Sequence, residues 1–262
     1  MSWQERIRYW TVTLGVLAVS LLALTGIPLI HERWLPDLLG IVLLAIAAEL
    51  LLIRYPLRPE YTDRGIWLSI STPIVIAVVL VYGWQFGVWL DALTSFVAGV
   101  VTAYVRNVRL QWVAVNTAHS VLSASAVGLV AAPFNVSQVG VLSAATLSAL
   151  VLGLLIYMLV NTVLVSATVA LAEGVRLRWV LAQTALSLPR DILLMTPISF
   201  LAMASLNAYG AIGLLGVLAP YLALRQAFIL ALRQQELYHQ TIRSLGFLVQ
   251  RAHPYTGGHL QR

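Results

Sequence analysis

Apolar runs long enough to cross a lipid bilayer recur along almost the whole chain, and they limit the folds it can adopt. The 262 residues are 60% hydrophobic and only 10% charged, whereas globular domains carry about 25% charged residues. So few charged side chains cannot cover a surface in contact with water. In hydrocarbon, only helices and closed barrels satisfy their own backbone. Because the runs are continuous rather than alternating, the sequence predicts an all-α fold, a polytopic transmembrane helical bundle.

The positions of the apolar runs predict about eight spans. They are approximately Tyr9–Ile30, Asp37–Ile53, Ile66–Tyr82, Phe86–Val105, Trp112–Pro133, Leu142–Ala172, Ile192–Leu206 and Gly210–Leu232. The sixth run is longer than a bilayer requires, so we expect it to be tilted, broken or preceded by a short re-entrant piece. The segment Arg178–Arg190 is expected to lie along the inner interface before the seventh span.

The distribution of arginine predicts the orientation of the bundle. All 16 basic residues are arginine, and only Arg33 falls in an odd-numbered connection between predicted spans. Because cytoplasmic loops carry the excess of basic residues, both termini are expected in the cytoplasm. The expected location is the inner (cytoplasmic) membrane, as a multi-pass protein. The chain has no cysteine, which excludes disulfides and thiolate metal sites.

Polar side chains within the predicted spans are the candidates for a functional site, because such groups are costly in hydrocarbon. The candidates are Glu49, Asp91, Asn116, His119 and Asn161. Asp91 and His119 together can be read as a ligand or proton site, but their different depths in the bilayer argue against direct pairing. The alternative is that each is satisfied by a Ser, Thr or Asn on a neighbouring helix. Glu49 is expected to pair with an inner-side arginine such as Arg54.

Beyond the last predicted span the sequence becomes polar, which predicts that the last helix continues into the cytoplasm. The expected organisation is a membrane bundle in residues 1–232, a signalling helix in 233–252 and a third segment in 253–262. A short stripe of a/d positions runs along the signalling helix: Tyr238, Ile242, Leu245 and Val249. Such a stripe either packs on its own domain or forms a parallel homodimer.

The segment that follows this helix reads HPYTGGHLQR. It resembles the start of the catalytic domain of bacterial HD-type phosphohydrolases of the HD-GYP kind. In that family a helix leads into a sequence like Asp-Pro-Tyr-Thr-x-Gly-His-Ser-x-Arg-Val. The matching residues are Pro254, Tyr255, Thr256, Gly258, His259 and Arg262. His253 stands where Asp is usual, and Leu260 stands where Ser is usual.

The resemblance implies a role for His259 as the first histidine ligand of a centre with two divalent metal ions, iron or manganese. Such metals activate a water molecule to attack a phosphodiester. Tyr255 stands where the three-metal members carry Glu, which implies a two-metal lineage. The family's later His-Asp pair and Gly-Tyr-Pro segment are not found in the 262 residues. We therefore expect no catalytic residue and no cofactor in this chain by itself, and a phosphodiesterase only in a longer parent.

The leading hypothesis is a membrane sensory region that regulates an HD-type cyclic dinucleotide phosphodiesterase. Its expected partners are the lipid bilayer, a small hydrophobic ligand or lipid as signal, and a second copy through residues 233–252. No nucleic-acid partner is expected. A transporter or channel-like bundle is the second hypothesis, and a structural accessory subunit of a larger membrane complex is the third.

Overall fold

The computed structural model describes residues 3–25, 35–50, 53–55, 66–68, 71–106, 109–131, 140 and 142–252. In these ranges the chain is helical apart from one short antiparallel strand pair. The helices are α1 (Trp3–Thr25), α2 (Leu35–Leu50), α3 (Ser71–Tyr82), α4 (Trp84–Arg106), α5 (Leu110–Ala131), α6 (Ala144–Glu173), α7 (Leu177–Ala185), α8 (Leu188–Tyr209) and α9 (Gly213–Ala252). Strands β1 (Ile53–Tyr55) and β2 (Ile66–Leu68) pair between α2 and α3.

Helices that are long and apolar enough to cross a membrane confirm the class of fold. Within the described ranges there are five such stretches: Glu5–Thr25, Trp84–Val105, Leu110–Ala131, Ala144–Glu173 and Leu188–Pro220. Large apolar side chains cover their outer surfaces; Leu24 of α1 is 81% exposed and Tyr104 of α4 is 91% exposed. The predicted second span corresponds to a shorter helix, α2, of 16 residues.

The predicted third span, Ile66–Tyr82, is wrong in its extent. Its first residues form β2, and α3 begins only at Ser71 and has 12 residues. A helix of that length rises about 18 Å, less than the ~30 Å hydrocarbon core. Every side chain from Ser71 to Leu80 is buried, and α3 packs against α2, α4, α5, α6 and α8. The third apolar run is therefore a core helix surrounded by protein.

Two glycines determine how closely α3 and α4 approach each other. Gly83 separates the two helices and has φ +98°, a conformation that glycine adopts without steric cost. One turn into α4, a Cβ added at Gly87 would overlap the side chain of Val79 on α3. Glycine at position 87 thus permits the backbone of α4 to contact the Val79 side chain of α3. This contact holds the first residues of α4 against the core helix.

The predicted sixth span is one continuous helix, α6, of 30 residues. Ser143 begins it by accepting a hydrogen bond from the backbone N–H of Thr146, and Gly174 ends it with φ +66°, a common left-handed terminator. Of the three expected alternatives, a break is therefore excluded for residues 144–173, and tilting or a preceding re-entrant piece stays a prediction. The following segment, expected along the interface, contains α7, whose Thr184 hydroxyl lies 2.9 Å from that of Ser166 on α6.

The chain divides into two compact units, Met1–Val217 and Leu218–Arg262. The described residues of the first unit form an apolar core around α3. The second unit contains most of α9, a helix of 40 residues. The residues of the HD-type resemblance, 253–262, lie outside the described residues.

Candidate functional site

Asp91 and Tyr157 form a buried hydrogen bond in the core of the first unit. Asp91 lies on α4 and is 1% exposed, and Tyr157 lies on α6 and is 5% exposed. The Tyr157 hydroxyl donates to Asp91 Oδ2 at 2.9 Å. Thr72, the second residue of α3, also lies near the Tyr157 hydroxyl. A carboxylate in the apolar core is thus held by a neutral donor.

Glu49 brings a second carboxylate to the same region. It lies near the end of α2, is 6% exposed, and accepts a hydrogen bond at Oε2 from the Ser71 hydroxyl. Ser71 is the first residue of α3, so the positive end of that helix dipole lies at Glu49 and stabilises its negative charge. Glu49 is also within electrostatic range of Asp91 and Tyr157. Its expected partner Arg54 lies on β1, and the Arg54 side chain is outside the described part of the structure.

We call Glu49, Ser71, Thr72, Asp91 and Tyr157 the carboxylate cluster. Four helices supply it: α2, α3, α4 and α6. Burying charge in an apolar interior is unfavourable unless the charge is paired or hydrogen-bonded, so such clusters in membrane bundles are functional candidates. An arrangement of carboxylate and hydroxyl oxygens can hold a proton or a small cation. Because four helices supply these oxygens, binding of either would affect how the four helices pack.

His119 belongs to a different hydrogen-bond network. It is 3% exposed on α5, and its Nε2 lies 3.1 Å from Thr168 Oγ1 on α6. The same Thr168 oxygen accepts from Trp10 Nε1 at 2.8 Å and hydrogen-bonds the Leu164 carbonyl. This network ties α1 and α5 to α6, and it satisfies His119 with a threonine of a neighbouring helix, as the alternative from the sequence described.

The structure separates His119 from Asp91. Between them, Ser95 of α4 and Ser120 of α5 share a hydrogen bond of 2.7 Å. Asp91 lies one turn before Ser95, while His119 is adjacent to Ser120 on the other helix. The two groups therefore occupy different levels of the bundle and have different partners, in agreement with the argument from depth. Asp91 is held by a tyrosine rather than by the Ser, Thr or Asn of the alternative.

The remaining two candidates do not join the carboxylate cluster. Asn116 is exposed on the surface of α5, and Asn161 is half-buried on α6. Sequence reasoning also missed three members of the cluster, Ser71, Thr72 and Tyr157. The signal for Tyr157 was present, because a tyrosine in the middle of a long apolar run must find a hydrogen-bond partner for its hydroxyl. The two α3 residues gave no comparable signal.

The metal-binding prediction concerns His259, which lies outside the described residues together with Pro254, Tyr255, Thr256, Gly258 and Arg262. Among the described residues, no group of three or more His, Cys, Asp or Glu side chains is arranged to hold a metal ion. Comparison with known proteins gives no further indication: no family model matches the chain, and neither does any curated protein or solved structure.

Proposed function

We propose that this chain is the membrane-embedded sensory region of an HD-type cyclic dinucleotide phosphodiesterase. One observation carries the proposal: the sequence HPYTGGHLQR, which resembles the start of HD-type domains, follows directly on the helix α9 of 40 residues. Consecutive turns of a helix are joined by hydrogen bonds, so a rotation or shift at one end reaches the other. A helix of this kind is suited to carry a change in the bundle to an output domain.

The proposed topology has about eight crossings of the inner membrane, with both termini in the cytoplasm. In this topology the short core helix α3 forms part of the third crossing and is not a full-length span. The five apolar stretches of spanning length support the membrane location. The orientation rests on the arginines, which lie almost entirely in even-numbered connections and at the two ends of the chain, where the cytoplasmic side is expected.

The proposed mechanism is a two-state change in the bundle. A signal shifts such an equilibrium only if it binds one state more tightly than the other. A lipid or small hydrophobic ligand has access to the bundle through its apolar outer surface, where Leu24 and Tyr104 are almost fully exposed. The four helices that meet at the carboxylate cluster are the elements whose rearrangement such a ligand can bias.

The output end of α9 is proposed to pair with a second copy of the chain. Three side chains of the a/d stripe are exposed in the second unit: Tyr238 by 66%, Ile242 by 49% and Leu245 by 56%. Val249, the fourth, has a side chain outside the described part of the structure. Apolar residues at this spacing in a polar helix are typical of a parallel coiled coil, and a dimer would transmit a signal symmetrically.

In the parent enzyme, His259 would be one ligand of two divalent metal ions, iron or manganese, which activate the attacking water. The test is therefore to read the gene past codon 262 and to assay the product of the whole reading frame. We expect a downstream His-Asp pair and metal-dependent hydrolysis of a cyclic dinucleotide that is lost in His259→Ala. A reading frame without that pair, or hydrolysis unaffected by His259→Ala, contradicts the proposal.

A small-molecule transporter is the second candidate, and the buried carboxylates Asp91 and Glu49 favour it, because transporters place ionisable groups at binding sites within the membrane. Uptake of a solute into vesicles containing the chain, lost in Asp91→Asn, would support transport. Co-purification in fixed stoichiometry with other membrane proteins, without any effect of Asp91→Asn, would instead indicate an accessory subunit of a larger complex.

A further inference from the structure

One buried hydroxyl next to the carboxylate cluster has no role in the packing described so far. Ser123 lies on α5 and is fully buried, and its Oγ has no hydrogen-bond partner among the described residues. Nearly all buried polar side chains have such a partner, and each exception needs an explanation. Thr117, Ser125 and Ser199 share this property among the described residues, so an unpaired hydroxyl alone does not indicate a ligand. The position of Ser123 relative to Asp91 and Tyr157 is what makes it a candidate to contact one.

The helical phase of Ser123 aims it at α6. It lies four residues after His119 and four before Val127, so the three share one face of α5. His119 contacts Thr168 of α6. Val127 lies 3.3 Å from the Cβ position of Gly153 on the same helix. The face that carries Ser123 is therefore the face that packs on α6.

The register of the helices places Ser123 at the level of Asp91 and Tyr157. Ser123 lies four residues before Val127 on α5, and Tyr157 lies four residues after Gly153 on α6. Because the two helices are antiparallel, both residues lie one turn from the Val127–Gly153 contact in the same direction along the bundle. The Ser95–Ser120 hydrogen bond likewise brings Asp91 level with Ala124, the neighbour of Ser123. Together with the face of α5 that packs on α6, these contacts place Ser123 within about one helical turn of the level of the Asp91–Tyr157 hydrogen bond.

We propose that Asp91, Tyr157 and Ser123 form a binding site for a small monovalent cation of the sodium type, between α4, α5 and α6. All three side chains offer oxygen ligands, which hard cations prefer. When both carboxyl groups are ionised, Glu49 lies at the positive end of the α3 dipole, whereas among the described residues the hydrogen-bond donor to the Asp91 carboxylate is the neutral Tyr157 hydroxyl. A single cation between Asp91 and Ser123 neutralises the carboxylate and satisfies the serine.

The site gives the bundle a defined input. The cation contacts three helices, so it stabilises the state of the bundle in which they converge. It does not stabilise a state in which they are apart. A ligand that binds one state more tightly than the other shifts a two-state equilibrium. The role of the cation as a signal rests on the proposed sensory function, whereas the binding of the cation does not. Binding and signalling can therefore be tested separately.

The test is the melting temperature of the purified full chain in detergent, measured in sodium chloride and in choline chloride at equal ionic strength and fixed pH. Ligand binding to the folded state raises the melting temperature, and at saturating sodium we expect a rise on the order of 5 °C. Asp91→Asn should abolish the rise, and Ser123→Ala should reduce it.

Ser125→Ala is the matched control. Ser125 is on the same helix, is also buried (3% exposed, against 0% for Ser123) and has an unpartnered hydroxyl in the described structure. Because it lies two residues further along, it points to a different face of α5. The sodium effect should be unchanged in this variant. No sodium effect in the wild type, a dependence on pH alone, or equal effects of Ser123→Ala and Ser125→Ala would each overturn the proposed site. None of these results bears on hydrolysis by the parent enzyme, which tests the sensory function.

Discussion

At the scale of single residues, the hydrogen bond between Tyr157 and Asp91 is the contact on which the carboxylate cluster depends. A hydrogen bond to a charged group contributes more than one between neutral groups, and removing the donor leaves a buried charge unpaired. Tyr157→Phe should therefore lower the free energy of unfolding by about 1.5–3 kcal/mol in sodium-free buffer. In an Asp91→Asn background the same change should cost less, because the amide is neutral.

The measurement is a double-mutant cycle of these two substitutions, followed by denaturant titration in detergent. Tyr209→Phe is a suitable control, since Tyr209 is 75% exposed and has no hydrogen-bond partner among the described residues. If Tyr157→Phe costs the same in both backgrounds, Asp91 is not a charged acceptor for Tyr157.

The sequence predicted the individual buried ionisable residues but not how they combine. Asp91 and Glu49 stand out in apolar runs by their charge alone. Whether they lie in one cluster with Tyr157 depends on the relative register and rotation of α2, α4 and α6. Hydropathy carries no information about register or rotation. For the same reason, the sequence could predict that His119 finds a Ser, Thr or Asn on a neighbouring helix, but it could not predict that this residue is Thr168.

At the scale of elements, the tight packing of α3 on α4 makes Gly87 sensitive to substitution. Gly87→Ala places a methyl group against Val79, and overpacking of this kind costs about 1–3 kcal/mol. Gly15→Ala is the matched control, because a Cβ at Gly15 in the middle of α1 meets nothing within 4 Å. That variant should be neutral or more stable, since alanine favours the helix by about 1 kcal/mol.

Thermal unfolding of the two variants measures this difference directly. Equal melting temperatures would mean that α3 and α4 are not in the close contact described. The core position of α3 could not be read from the sequence, because a run buried by protein and a run buried by lipid have the same hydropathy. Its shortness was concealed by the apolar residues Ile66–Leu68, which belong to β2.

At the scale of the whole molecule, the composition determined the class of fold, because a chain with 10% charged residues requires lipid as its solvent. The orientation is a separate prediction that the arginines make. The chain contains no cysteine, so single cysteines report on one position each. We expect Glu5→Cys and Gln111→Cys to react with an impermeant maleimide only from the cytoplasmic side, and Gln85→Cys only from the outside. Labelling of Glu5→Cys and Gln85→Cys from the same side would refute this orientation.

Control of an output domain through α9 is the central claim, and the phase of that helix tests it. Each residue of a helix turns it by about 100°, so two residues inserted after Gln240 rotate everything beyond by about 200°. Seven inserted residues return it to within about 20° of its starting phase. Both insertions lie in the second unit and leave the sequence of the first unit unchanged.

The most direct measurement is the rate of cyclic dinucleotide hydrolysis by the product of the whole reading frame, reconstituted in lipid vesicles, for the wild type and the two insertions. We predict that the two-residue insertion changes the rate several-fold, whereas the seven-residue insertion leaves it close to that of the wild type. Equal rates for all three proteins would show that α9 does not transmit the state of the bundle and would contradict the proposed function.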